Sequence, residues 1–125
     1  MSSETDLGQD RLPDRLVEMI AQRFRVIGDP MRIRLLERLR RGEASVQELT
    51  DAVGGSQQNV SKHLATLYGA GIVDRRKDGT RTLYAIADAT VFELCDHVCG
   101  SLQRQLESLA SLLDEVGDGP VLALR

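Results

Sequence analysis

The stretch "SVQELTDAVGGSQQNVSKHL", residues 45–64, decides the fold. Ser45 is followed three residues later by Glu48, the spacing at which a serine and a glutamate cap the start of a helix reciprocally. Val46, Leu49 and Val53 supply a short apolar stripe, and two glycines at 54–55 end it. Ser56 then caps a second helix, whose inward face is Val60, Leu64 and, further on, Leu67. Two short helices joined by a tight glycine turn form a helix-turn-helix. The outward face of the second helix carries Gln57, Gln58, Ser61 and Lys62, a dense set of hydrogen-bonding side chains.

The flanks extend the pattern. Leu16, Ile20, Phe24 and Ile27 recur at three- and four-residue steps, which predicts an amphipathic helix from Leu12 to Ile27. Gly28 ends it. Asp29 and Pro30 suit the N-cap and first position of the next helix, with Met31, Ile33, Leu35, Leu36 and Leu39 as its apolar side and Gly42 as its stop. Downstream the period falls from about 3.6 to 2. "IVDRR" and "RTLYAI" flank "KDGT", and Asp78-Gly79 predicts a two-residue hairpin turn. Ile72, Leu83, Ala85 and Ile86 are the hairpin's expected core residues. Arg75, Arg76, Lys77 and Arg81 gather near its tip.

From Asp88 to about Val116 a long helix is expected. Val91, Leu94 or Cys95, Val98, Leu102, Leu106, Leu109, Leu113 and Val116 form a stripe too long for the rest of a small domain to cover, and a second copy of the helix would cover it. Gly100 interrupts it at a cost of up to about 1 kcal/mol relative to alanine. The predicted order is ααααββα, a mainly α fold with a β-hairpin wing (α+β). Residues 12–116 form one domain in this reading, with tails at 1–11 and 117–125.

The chain has 125 residues, of which 42% are hydrophobic and 28% charged, a composition suited to one globular domain. No apolar run approaches the roughly 18 residues of a membrane span, and the polar, acidic start does not resemble a secretory signal. A cytoplasmic protein is expected, and its two cysteines would stay reduced there. The net charge of −3 is unevenly spread. Residues 56–86 carry five basic and two acidic side chains, and residues 87–125 carry two and seven. The positive third coincides with the helix-turn-helix and hairpin.

A helix-turn-helix followed by a basic hairpin is a winged helix, and its natural target is a DNA duplex. A helix fits the major groove, where Gln57 and Gln58 can pair with adenine edges, Ser61 with base or phosphate, and Lys62 with phosphate or guanine. Ser56, Asn59 and His63 complete the DNA-contact candidates on this helix, although a histidine there is as well suited to packing or capping. Arg75, Arg76, Lys77 and Arg81 would hold the phosphate backbone or enter the minor groove. The competing reading is an ordinary solvated helix surface or a protein-interaction module. No phosphate loop, nucleophile–base constellation or paired carboxylates point to an enzyme.

Through "GDPMRIRLLERL" (28–39) and "SVQELTDAVGGSQQNVSKHLATLYGAGIVDRRKDGTRTLYAI" (45–86) the sequence resembles the ArsR/SmtB family of bacterial transcriptional repressors. The resemblance covers residues 15 to 95. It implies a recognition helix at 56–68 and a wing at 72–86. It also implies a homodimer joined through the helices beginning near Leu12 and Asp88, which brings Leu16 and Ile20 into the interface. An imperfect palindromic operator and release by an inducer are further implications.

Two inducer sites known in the family are missing. The arsenic-type site needs a Cys-x-Cys pair in the helix that here reads "SVQELTDAV". The zinc-type site on the last helix would begin at Asp88, and its other positions hold Thr90, Ser101 and Arg104. What remains is Cys95 and Cys99, four residues apart on one helical face. Two protomers would offer four thiols, a set suited to Zn, Cd, Cu(I) or As(III). Structural burial as small hydrophobes and a redox or persulfide switch are the alternatives.

Overall fold

The computed structural model describes residues 11–116. The tails expected at 1–11 and 117–125 lie, apart from Arg11, outside the described residues. Contacts divide the chain into two units, one ending at Asp88 and one beginning at Ala89.

The first unit holds four helices and a small sheet. α1 spans Asp14–Ile27 and α2 spans Pro30–Leu39. The break between them is set by Asp29, whose carboxylate accepts hydrogen bonds from the backbone N–H groups of Met31 (2.9 Å) and Arg32 (3.1 Å), with Pro30 fitting the first turn. These bonds, the Arg32 N–H foremost, hold the Asp29 carboxyl below the usual carboxylate range. The cap therefore adds stability above the unfolded-state pKa, and that stability is lost as pH falls through the lowered folded-state value. Asp29→Ala should cost about 0.5–2 kcal/mol at neutral pH. In acid-unfolding curves the gap between variant and parent should shrink as the parent's carboxylate is protonated.

β1 is the short strand Ala44–Ser45, and α3 spans Val46–Val53. The capping box is present: Glu48 N–H donates to Ser45 Oγ at 3.1 Å, and Ser45 N–H donates to Glu48 Oε1 at 2.8 Å. α4 spans Gln57–Gly69, with Ser56 Oγ accepting from the Asn59 N–H at 3.1 Å. Its C-terminus closes in a Schellman motif. Ile72 N–H bonds Leu67 O and Gly71 N–H bonds Tyr68 O, both at 3.0 Å, with Gly71 at φ +76°. That turn delivers the buried Ile72 into the core and starts the wing.

β2 (Val73–Asp78) and β3 (Arg81–Ile86) form the wing hairpin. The expected Asp78-Gly79 turn lies one residue later. Asp78 pairs with Arg81 in the ladder, so Gly79 and Thr80 form the loop, and Gly79 supplies the positive φ of +68°. The predicted order ααααββα also lacked a strand. β1 pairs with β3 through Ala44↔Tyr84 and Ser45↔Leu83, giving an antiparallel sheet of order β1-β3-β2. Two residues are too few to show an alternating pattern. The central position of β3 explains a second correction: Leu83 and Tyr84 are both buried, on opposite faces, whereas Ala85 and Ile86 are only half-buried.

The core of this unit is built from Leu35, Leu36, Leu49, Val60, Leu64, Leu67, Ile72 and Val73, all fully buried. Leu16, Ile20 and Phe24 on α1 stay exposed.

The second unit is α5, Thr90–Val116, a helix of 27 residues. At 1.5 Å per residue it is about 40 Å long. Val91 is buried and Leu94 and Leu109 are half-buried, while Val98, Leu102, Leu106 and Leu112 are exposed. Among the described residues no helix is long and apolar enough to cross a membrane.

Candidate nucleic-acid interface

α4 is buried on one side through Val60, Leu64 and Leu67. With 100° between successive residues, the opposite pole is occupied by Gln58, Lys62 and Ala65, and Ser61 lies on the flank between that pole and the buried side, all exposed. Gln58 and Lys62 reach solvent without an ion pair or hydrogen bond to another described side chain, so their polar groups are available to a ligand. Ala65 went unnoticed in the sequence because it is neither polar nor part of the core. Its methyl group at this pole is suited to a thymine methyl.

Three of the predicted contact residues have work elsewhere. The Ser56 oxygen is the helix cap. Gln57 lies on the flank facing α3, where its Nε2 donates to Gln47 Oε1. His63 is turned toward the start of α2 rather than toward solvent. Arg32 Nη1 lies 3.2 Å from His63 Nδ1, and His63 Nε2 lies 3.9 Å from Asp29 Oδ1. A guanidinium can only donate, so Nδ1 is the acceptor and the neutral ring carries its proton on Nε2, facing Asp29. Arg32 also donates from Nε to Val26 O at 2.6 Å. His63 thus ties α4 to the α1–α2 junction. Asn59 is exposed beside the pole.

The wing's four cations do not act as one cluster. Residues paired across an antiparallel ladder share a face, and faces alternate along a strand. The pairs Arg75↔Tyr84 and Lys77↔Thr82 therefore lie on one face, and Arg76↔Leu83 and Asp78↔Arg81 on the other. On that second face the charges are neutralised. Arg76 binds Glu43 through two bonds of 2.7 and 3.1 Å, and Arg81 binds Asp78 at 3.2 Å. The Arg76 bonds are also why the Glu43 carboxyl is held below its usual range. On the first face Arg75 lies 4.0 Å from the centroid of the Tyr68 ring. Hydrogen bonding to Tyr84 is the main cause of a further rise in the Arg75 pKa, with the Tyr68 side chain adding to it. Lys77 makes no ion pair among the described residues. The uncompensated positive face of the wing is Arg75 and Lys77, and the Tyr68 contact attaches it to the C-terminal end of α4.

Tyr68, Tyr84, Glu43 and Gln47 all shape this surface, and none was singled out in the sequence. Tyr68 was legible in principle, since it precedes the glycines that end α4. The Glu43–Arg76 pair joins residues 33 positions apart and carries no local signal.

On α5, Cys95 is half-buried and Cys99 exposed, and neither is in a disulfide. Among the described residues no group of three or more His, Cys, Asp or Glu side chains is placed to hold a metal ion.

Residues 27–76 match the family model of a helix-turn-helix domain. Over 89 residues the chain is 39% identical to the HTH-type transcriptional regulator KmtR of Mycobacterium tuberculosis, covering 71% of this chain and 68% of that protein. The crystal structure of Rv0081 from the same organism aligns with a TM-score of 0.71 and 34% identity, covering 78% of this chain and 99% of that one. A homodimeric winged helix-turn-helix DNA-binding domain from Mycobacterium bovis, described as a possible ArsR-family transcriptional regulator, aligns with a TM-score of 0.67 and 27% identity over 86% of this chain and 95% of its own. The chain belongs to the ArsR/SmtB family of winged helix-turn-helix transcriptional regulators.

Proposed function

We propose that the protein is a cytoplasmic, homodimeric repressor that inserts α4 into the major groove of an imperfect palindromic operator and rests its wing on the backbone or minor groove. The observation that carries this reading is the junction of two surfaces: the outer side of α4, with Gln58 and Lys62 at its pole and Ser61 on its flank, and the Arg75–Lys77 face of the wing, coupled through Tyr68. The dimer partner would cover Leu16 and Ile20 on α1 and Val98, Leu102 and Leu106 on α5. Such a protein works by occupying DNA, not by catalysis.

A titration against the DNA upstream of the protein's own coding sequence tests this. Gln58→Ala should cost about 1–3 kcal/mol and relax preference at one base pair. Lys77→Ala should weaken binding to all sequences and reduce the salt slope by about one. Arg81→Ala, whose charge is already paired, should change the slope less. Equal slopes for the two variants would show that the wing's charged faces are not distinguished by DNA. Salt-insensitive binding by the parent protein would favour a protein-interaction module instead.

The thiols of Cys95 and Cys99 supply the inducer site in this reading. One chain offers two soft ligands one helical turn apart, and the second copy would complete a four-thiolate set for Zn, Cd, Cu(I) or As(III). Under native mass spectrometry the dimer should take up Cd(II) or arsenite and lose its operator affinity, and Cys95→Ser/Cys99→Ser should do neither. Thiols inert to metal and oxidant, with DNA binding unchanged, would make the protein an inducer-independent regulator with structural cysteines.

A further inference from the structure

Gln57 begins α4 on the side facing α3, and its amide takes part in a relay. Gln57 Nε2 donates to Gln47 Oε1, and Gln47 Nε2 donates to Asp51 Oδ1 at 2.9 Å. We propose that Gln47 and Asp51 are positioning residues that set which groups of the Gln57 amide face the DNA. The inference rests on the major-groove reading of α4 given above.

The direction of the relay follows from chemistry. An ionised carboxylate can only accept, so Asp51 draws the NH₂ group of Gln47 toward itself. The Gln47 oxygen is thereby turned to Gln57, which must answer with its own NH₂. One N–H of Gln57 is spent on Gln47. One N–H and the oxygen remain. That remainder matches adenine, which presents the N7 acceptor beside the N6 donor in the major groove. Guanine presents two acceptors, N7 and O6, and would need both N–H groups or bring two oxygens face to face. The relay thus favours adenine over guanine at whatever pair Gln57 meets. All three side chains are exposed in the single chain. Closing a duplex over them would exclude water and strengthen the relay where it is used. Gln58 has no such partner among the described residues, and its amide can turn to suit its base.

The test compares sequence preference, by selection from a randomised duplex library, for the parent, Gln57→Ala, Gln47→Ala, Asp51→Asn and Asp51→Glu in the full-length protein. Gln57→Ala identifies the base pair in question by erasing preference there. Asp51→Asn is isosteric but can donate as well as accept, so it removes the relay's direction. Both Asp51→Asn and Gln47→Ala should reduce adenine-over-guanine discrimination at that pair by roughly three- to tenfold, the scale of one hydrogen bond's net contribution. Asp51→Glu should retain most of it. Melting temperature should stay at the parental value, and Gln47→Ala, which changes no charge, should also keep parental non-specific DNA affinity and salt slope, which a merely structural role would not allow. If the two variants keep full discrimination at the pair that Gln57→Ala erases, the positioning role is wrong and the DNA-binding function stands. If Gln57→Ala erases nothing, Gln57 reads no base and the proposal falls. If the parent shows no sequence preference, the functional reading falls with it.

Discussion

Leu102→Asp/Leu106→Asp should yield a monomer whose operator affinity is at least about a hundredfold below that of the parent. The two leucines lie one turn apart on α5 and are 53% and 63% exposed in the single chain. Burying a leucine side chain contributes about 1.5–3 kcal/mol, and a symmetric interface would use each position twice. Aspartate removes that contribution and places charges where they would lack partners. A drop of two decades in DNA affinity requires only about 2.7 kcal/mol of lost coupling between half-sites, well within that range. Sedimentation equilibrium should report the monomer, and far-UV circular dichroism should show the first unit still helical. Glu107→Gln, a surface change next to the same stripe, should leave the dimer intact. A double variant that remains dimeric would mean the α5 stripe is not the interface, and Leu16→Asp/Ile20→Asp on α1 would then be the decisive pair.

The second large effect concerns stability. Leu64→Ala should destabilise the first unit by about 2–5 kcal/mol, because Leu64 is fully buried in the middle of α4 and truncation leaves a cavity. For a unit of this size that corresponds to a fall in Tm of roughly 10–25 °C. Ser61→Ala, on the exposed flank of the same helix, should stay within about 0.5 kcal/mol of the parent in stability. Thermal melts followed by circular dichroism, paired with DNA titrations, separate the two. Leu64→Ala should melt early, whereas Ser61→Ala should melt normally and bind DNA differently. A Leu64→Ala variant that melts within two or three degrees of the parent would contradict the burial of this helix face.

Both predictions use features visible in the sequence, and the contrast between them and the rest is physical. Caps and stripes are local. Ser45 with Glu48, Asp29 with Pro30, and Ser56 with Val60 and Leu64 announce helix starts because the atoms that satisfy the helix ends lie three or four residues away. The helix-turn-helix, the wing hairpin and the long last helix therefore followed from spacing, as did the family resemblance. The polar face of α4 followed for the same reason: a helix with a known core side has a known outer side.

What only the tertiary structure decided depends on pairs distant in the chain. β1 exists because Ala44 and Ser45 meet Tyr84 and Leu83, some 40 positions on. Tyr84 is buried because β3 becomes the middle strand, which no alternation in "RTLYAI" reveals. The basic wing divides into a neutral and a positive face because Glu43 reaches Arg76 and Tyr68 meets Arg75. His63 turns away from the outer side of α4 because Arg32 and Asp29 claim it, and Gln57 is oriented because Gln47 stands beside it. The sequence by itself determined which segments are helices, which face of each is apolar and which class of molecule the polar face suits, since those properties repeat at the period of the backbone. The allocation of individual charges and amides waited for the fold, since a salt bridge or a relay is chosen by proximity in space among many equivalent partners along the chain.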